Sequence, residues 1–124
     1  MGKKIVHVEF PAKDVDRSES FWEGFAGWSI ESAGMEGLDY RMFQQEDAGQ
    51  WGGAVYPQMD GEQGPIIYFD SENIDADVAK VRELGGEAKN KEPIPHVGWF
   101  ARCKDTEGNP FSLYQSDESV APPQ

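Results

Sequence analysis

The sequence predicts an α+β fold made of two copies of a βαβββ module. Three observations lead to this prediction: an internal repeat, a strand-like run at the start of each half, and a capped helix after each run. With an offset of 59, similar residues superpose, namely Val8 on Ile67, Phe10 on Phe69, Asp14 on Asn73, Asp16 on Asp75 and Gly27 on Gly86. A repeat of this kind indicates that one supersecondary unit is used twice.

Each half begins with a strand, IVHVEF in the first and PIIYFD in the second. A helix is expected after each strand, because aspartate and asparagine side chains accept hydrogen bonds from the first backbone N–H groups of a helix. The expected N-caps are Asp14 or Asp16 and Asn73 or Asp75, and the expected helix ends are Gly27 and Gly86.

Apolar side chains at helical spacing predict the buried face of each helix. The first helix carries the aromatic residues Phe21, Trp22 and Phe25, and the second carries Ile74, Val78, Val81 and Leu84. We expect these faces to lie in the core. Three strands should follow each helix, at about Trp28–Ala33, Leu38–Phe43 and Gly52–Tyr56, then at about Glu87–Lys91, Val97–Cys103 and Pro110–Gln115.

Side chains alternate between the two faces of a strand, so each half should have a face covered by its helix and a far face turned away from it. Val8 and Phe10 are expected to pack toward the helix, while His7 and Glu9 point the other way. In the run PFSLYQ, Phe111 and Leu113 share one face, and Ser112 and Tyr114 share the other.

Composition excludes several classes of function. The formal net charge of −12 comes from 23 acidic and 11 basic residues, without a basic stripe that could neutralise phosphates, so nucleic acid is not expected as a partner. No apolar run approaches membrane-spanning length. A single cysteine, Cys103, cannot form an internal disulfide, which favours a reducing cytoplasm. The acidity serves solubility or, alternatively, attracts a cationic ligand.

Two long segments, IVHVEFPAKDVDRSESFWEGFAGW and PIPHVGWFARCKDTEGNPFSLYQSD, together with the paired modules, resemble the vicinal oxygen chelate superfamily of glyoxalases, bleomycin-resistance proteins and extradiol dioxygenases. The resemblance covers nearly the whole chain and is strongest to small bacterial glyoxalase-related proteins. Length, the repeat and the polar composition of the C-terminus predict a single domain with modules at about residues 1–59 and 60–118 and a flexible tail at 119–124. The resemblance implies curled sheets whose far faces enclose a cavity. It also implies a homodimer.

Metalloenzymes of this superfamily hold a divalent ion with up to four ligands, from the first and last strands of both modules. By this resemblance His7 matches the first ligand and Ser112 the ligand on the last strand, and the repeat places Ile66 and Gly53 at the other two positions. Only His7 is a good ligand, because isoleucine and glycine offer no donor atom and a serine hydroxyl binds transition metals weakly. We therefore assign no cofactor, although a divalent metal remains open if other residues supply ligands, such as Glu9, His96, Glu46 or Asp47.

The candidate ligand-binding residues are those expected on the far faces. His7 is either a general base in the cavity or a structural residue, and Glu9, two positions along, either tunes the imidazole or lies at the rim. Tyr68 and Tyr114 either donate to a ligand or fill space. Aromatic residues outside the helical stripes either stack on a bound molecule or fill the core, and they are Trp51, Trp99 and Phe100.

Two classes of function fit these residues, and whether the protein is an enzyme stays open. The first is a metal-free binding protein that holds a small organic molecule in the cavity, with its acidity suited to a cationic compound, as in the bleomycin-resistance branch. The second is a metal-dependent lyase, isomerase or dioxygenase. A third interpretation is a metal-free enzyme with His7 as base and a tyrosine as its partner.

Overall fold

The computed structural model describes residues 2–44, 52–59 and 62–121 of the chain. The contacts divide the chain into two compact units, one of His7–Ile66 and the other of Met1–Val6 with Ile67–Gln124. The order of elements is that of two βαβββ modules with one additional strand in the second, so the predicted α+β fold class is confirmed. Three residues considered above lie outside the described part of the chain, namely Glu46, Asp47 and Trp51.

The first module consists of β1 (Ile5–Ala12), α1 (Val15–Ala26), β2 (Glu31–Ser32), β3 (Arg41–Phe43) and β4 (Gly52–Pro57). Its strands form a sheet in the order β2-β3-β4-β1. Strand β1 runs parallel to β4, and the other neighbours are antiparallel.

The second module consists of β5 (Ile66–Asp70), α2 (Ile74–Glu83), β6 (Glu87–Ala88), β7 (Glu92–Ile94), β8 (Gly98–Lys104) and β9 (Pro110–Ser116). It repeats the topology of the first, with β5 parallel to β9 in a sheet of order β5-β9-β8-β6. The strand expected at Glu87–Lys91 is replaced by two short strands, β6 and β7, which both pair with β8. Pro93 lies in β7, and a residue without an N–H group is tolerated best at a sheet edge.

The structure shows which of the two candidate N-cap residues begins each helix. Asp14 caps α1 and accepts a hydrogen bond from the backbone N–H of Arg17 at 3.0 Å. Asn73 caps α2 in the same way. Gly27 ends α1 in the left-handed conformation, with φ of 74°, where glycine lacks the steric cost of a Cβ atom. Among the described residues, no helix combines the length and the apolar character needed to cross a membrane.

Each module has its own apolar core between the sheet and its helix. In the first module, Ile30, Phe43 and Val55 are buried and pack with Val8, Phe10, Trp22 and Trp28. The rings of Trp28 and Phe43 stack with their centroids 3.8 Å apart. In the second module the buried core residues are Ile74, Val78, Ala101, Cys103 and Leu113.

The expectation that the whole apolar face of each helix lies in the core is wrong. Phe21 is 58% exposed, Phe25 is 78% exposed and Leu84 is 65% exposed, whereas Trp22 packs on Phe10 at a centroid distance of 4.6 Å. Helical spacing identifies the apolar side of a helix, but the width of sheet beneath it decides how much of that side is covered. Of the three rings in the aromatic stripe of α1, Trp22 therefore belongs to the core, whereas Phe21 and Phe25 lie at the surface.

Two aromatic truncations on α1 should separate these two halves. Trp22→Ala should lower the free energy of unfolding by about 3 kcal/mol, because it removes a large ring from the core cluster. Phe25→Ala should change it by no more than about 0.5 kcal/mol, since the ring is mostly in solvent. Urea unfolding followed by circular dichroism measures both. Equal losses in the two variants would contradict the described position of Phe25.

Candidate functional site

The alternation of side chains along β1 separates a core face from a far face in the first module. Val8 and Phe10 belong to the helix-side cluster. His7 and Glu9 alternate with them and therefore lie on the far face, as the sequence predicted. The β4 residues opposite these two positions are Gly52 and Ala54, so the neighbouring strand offers only small groups there.

A chain of hydrogen bonds joins three side chains on this far face. The Nε2 atom of His7 lies 2.7 Å from the hydroxyl oxygen of Tyr40. The same hydroxyl donates a short hydrogen bond to Oε2 of Glu9. Glu9 is only 7% exposed, so this carboxyl group is held away from bulk water. We call these three residues the polar chain.

Burial keeps the His7 imidazole neutral at ordinary pH. Desolvation lowers the pKa of His7 from 6.5 to about 4, because a buried site disfavours the charged imidazolium. The Nε2 atom lies 4.0 Å from Oε2 of Glu9, and the direct attraction between them does not reverse this effect. The polar chain therefore presents a neutral imidazole at pH 7.

Aromatic rings continue the far face beyond the polar chain. The ring centroids of Tyr40 and Tyr56 lie 5.8 Å apart, and Tyr56 is paired with Pro11 across β4 and β1. Met42, one position from the core residue Phe43, lies on the far face opposite Ala54. The polar chain is thus surrounded on its own sheet by small, aromatic and thioether groups.

The far face of the second module carries the other predicted residues. Tyr68 is paired with Ser112 and Ser112 with Arg102, so these three form one row across β5, β9 and β8. Ile66 lies on the same face of β5, because Ile67 pairs with the core-facing Phe111. The row holds one guanidinium group and two hydroxyl groups, which sequence reasoning had not grouped together.

Burial or a hydrogen bond is known for three far-face side chains of the second module, Ser112, Ile66 and Tyr114. Ser112 is 2% exposed and Ile66 is 6% exposed, so both are buried. The hydroxyl of Tyr114 donates to the backbone carbonyl of Val97 at 3.3 Å. Their roles in ligand binding stay predictions.

Two of the predicted site residues lie on the wrong face. A Cβ atom on Gly53 would lie 2.2 Å from the Val8 carbonyl oxygen and 2.6 Å from a ring carbon of Phe43, so Gly53 faces the helix-side core. The strand pairing shows the reason. Glu9 and Tyr68 are equivalent at an offset of 59, and their strand partners are Ala54 and Ser112. These partners are 58 residues apart, so the equivalent of Ser112 in the first module is Ala54 and not Gly53. A slip of one residue turns every side chain to the other face.

Trp99 is the second correction. Its ring packs against the core cluster of the second module, with the Lys91 ammonium 4.5 Å from the ring centroid. Its indole N–H donates to Asp117 at 3.4 Å. Trp99 therefore stabilises the core and an edge of the sheet, and it does not share a face with Tyr68 or Ser112.

The other titratable candidates do not join the polar chain. His96 is exposed in the loop before β8, as expected for a solvated residue. Cys103 is buried, and desolvation raises its pKa to about 11, so the thiol stays protonated and is a poor nucleophile.

The residues of the polar chain do not fit a conventional metal site. The described residues contain no group of three or more histidine, cysteine, aspartate or glutamate side chains that could hold an ion. His7 and Glu9 supply two ligand-type groups, and the Tyr40 hydroxyl already contacts both of them. Stable sites for zinc and related ions need three or four such ligands.

A model of the family described as glyoxalase-like domain matches residues 6–114. The chain belongs to this family. The resemblance to the vicinal oxygen chelate superfamily is thereby confirmed. Among curated proteins, the provisionally named glyoxylase CFP32 of Mycobacterium bovis is 33% identical over 101 residues, and so is its counterpart in Mycobacterium tuberculosis. The match covers 79% of this chain but 38% of each relative, so the chain spans well under half of their length.

Solved structures of the same fold include two methylmalonyl-CoA epimerases. One, in complex with methylmalonyl-CoA and NH4+, has a TM-score of 0.67 at 18% identity, covering 97% of this chain and 99% of that one. The epimerase of Mycobacterium tuberculosis has a TM-score of 0.65 at 13% identity, with 92% and 88% covered. A hypothetical protein of Bacillus halodurans reaches 0.69 at 13% identity, with 98% and 100% covered. At such identities the likeness shows the fold alone.

The lowered pKa of His7 predicts a pH-dependent part of the stability. Between pH 6.5 and about 4 the unfolded chain binds a proton at His7 that the folded chain does not, so stability falls as pH decreases through this range. The loss attributable to His7 should reach about 3 kcal/mol at most.

Denaturant unfolding at a series of pH values, compared between variants, measures this term. His7→Gln should flatten the decline between pH 6.5 and 4, whereas the matched change His96→Gln at an exposed loop should leave it unchanged. A wild-type slope that survives His7→Gln would show that His7 is not the group responsible.

Proposed function

We propose that this protein binds a small organic molecule on the far face of its first module, without a bound metal ion, and that the polar chain anchors the ligand. The observation that supports this most is the hydrogen-bonded sequence of imidazole, phenol and carboxyl groups among small and aromatic neighbours. Ligand sites are typically apolar surfaces with a few precisely placed polar groups. A relative by fold, an epimerase, is seen with methylmalonyl-CoA, which supports a role for this fold in holding organic molecules.

The charge around the polar chain indicates the chemistry of the ligand. The nearby carboxyl group of Glu9 and the net charge of −12 favour a positively charged donor over an anion. An organic ammonium or a related nitrogen cation combines both properties.

Binding is favoured over proton transfer by the pKa of His7. A base of pKa about 4 accepts a proton at pH 7 with a penalty that is about 3 kcal/mol larger than for an unperturbed histidine. General bases work best when their pKa lies near the working pH. The lowered value suits a neutral hydrogen-bonding group better than a catalytic base. The metal-dependent alternative needs ligands that the polar chain does not supply.

Titration calorimetry with two probes of opposite charge tests the proposal. Bleomycin is the cationic probe and methylmalonyl-CoA is the anionic one. We expect saturable binding of the cationic probe, weakened about tenfold or more by Glu9→Gln, since hydrogen bonds and attraction involving a charged partner are worth more than 1 kcal/mol. His7→Gln should weaken binding as well.

Matched variants make the outcome specific to the polar chain. Glu92→Gln removes one charge from an exposed edge strand, and His96→Gln removes the other histidine, so both should bind the probe as the wild type does. Binding that is unchanged in Glu9→Gln and His7→Gln, or equally strong binding of the anionic probe, would contradict this function.

We also propose that the protein is a homodimer, as its resemblance to small members of the superfamily implies. The exposed Phe21 and Phe25 rings on α1 add apolar surface that association could remove from water. Light scattering coupled to size-exclusion chromatography should give twice the chain mass of 13.8 kDa at micromolar concentration. A mass equal to one chain would refute the dimer.

A further inference from the structure

Helix α1 presents three neighbouring aromatic rings, two of which lie mostly in solvent. Phe21 and Phe25 are 58% and 78% exposed, and their rings stack with the centroids 6.0 Å apart. Both rings contact Trp22, at centroid distances of 5.1 and 6.4 Å, so a core residue supports them. We call Phe21, Trp22 and Phe25 the aromatic ridge. Adjacent large rings that stay exposed are typical of an interaction surface.

The second module has an apolar groove between α2 and its sheet. The groove encloses a volume of about 520 Å³. Leu84 is 65% exposed, so apolar surface reaches the mouth of the groove. We call it the α2 groove, and its apolar lining includes Ile67, Phe69, Val81, Leu84, Phe111 and Leu113.

The aromatic ridge and the α2 groove occupy equivalent places in the two modules. The N-caps of the two helices are 59 residues apart, so Trp22 corresponds to Val81 and Phe25 to Leu84. In the first module the indole of Trp22 packs on Phe10 at a centroid distance of 4.6 Å. The shorter valine at the corresponding position leaves the α2 groove open. One module therefore has a protruding aromatic surface where the other has a recess.

The surface of α1 is acidic. The guanidinium group of Arg41 contacts three carboxylates at 2.8 to 3.5 Å, those of Asp16, Glu19 and Asp39. The other two charged residues of α1 are Arg17 and Glu23, whose charges offset each other. Since the whole chain also has a net charge of −12, two α1 helices packed together would repel each other.

The rim of the α2 groove carries two lysines and two aspartates, so its net charge is close to zero. Lys3 Nζ lies 2.6 Å from Asp77, and Asp105 accepts hydrogen bonds from backbone N–H groups of its own turn. The side chain of Lys80 is 60% exposed and points its charge into solvent near Glu83, which is 3.9 Å away. An acidic helix therefore meets less repulsion at this groove than at a second α1.

We propose that the aromatic ridge of one copy of this chain docks in the α2 groove of a second copy. The inference rests on the proposed homodimer and names the two surfaces that form it. Docking removes Phe21, Phe25 and Leu84 from water together, and burial of apolar area is the main driving force of association. Each copy has one ridge and one groove, so a closed pair makes the same contact twice.

Analytical ultracentrifugation of variants that alter exposed side chains tests this contact. The ridge variant is Phe21→Gln/Phe25→Gln, and the groove variant is Lys80→Glu/Leu84→Gln. Each should raise the dissociation constant about tenfold or more, because aromatic and apolar anchors carry much of the binding energy of an interface. Phe25→Gln alone should act in the same direction. Circular dichroism should show that all of these variants stay folded.

Two matched variants serve as controls. Met35→Gln removes an exposed apolar side chain that belongs to neither surface. Lys89→Glu makes the same change of charge as Lys80→Glu, at an exposed position outside the groove. Both should leave the dissociation constant unchanged.

A mixture of the ridge variant and the groove variant separates this arrangement from other dimers. The intact ridge of one variant can dock in the intact groove of the other, so the mixture should contain pairs that neither variant forms alone. If the wild type is a dimer but the mixture stays monomeric, or if either variant pairs as strongly as the wild type, the ridge does not dock in the groove although the dimer stands. A monomeric wild type would refute the dimer as well.

Discussion

The strict alternation of side chains along β1 is the constraint on which the site depends. Val8 and Phe10 must lie on the helix side, because the aromatic core around Trp22, Trp28 and Phe43 buries apolar area that contributes most of the module's stability. His7 and Glu9 are then forced onto the opposite face together. The polar chain is therefore a consequence of core packing, since moving either residue to the other face would expose Val8 or Phe10.

The polar side chains of the polar chain can lie in a nearly buried setting because they form hydrogen bonds with one another. A carboxyl group that is 7% exposed needs a donor, and the Tyr40 hydroxyl provides one. The oxygen of the same hydroxyl also lies 2.7 Å from Nε2 of His7. Desolvation lowers the pKa of His7 and so keeps the imidazole neutral at pH 7.

Membership of the glyoxalase-like family does not by itself assign a reaction, because its fold is shared with proteins of other activities. The far faces of the two modules carry different side chains. In the first module Gly52 and Ala54 stand opposite His7 and Glu9, and in the second Tyr68, Ser112 and Arg102 form a row across three strands. The two modules therefore share their strand topology but carry different side chains on their far faces.

The sequence by itself determined the two modules, the two helices with a pair of candidate N-caps for each, and the faces of β1 and β9, because these follow from local rules of period and capping. The sequence placed Gly53 on the wrong face. The repeat offset of 59 was carried through a loop that differs by one residue between the modules, and a shift of one residue turns a side chain to the other face. It overestimated the burial of Phe25, since the extent of sheet under a helix is a tertiary property. It could not pair Tyr40 with His7 and Glu9, which are 33 and 31 residues away, because no local pattern records which strands become neighbours. Only the folded sheet placed a phenol between those two side chains.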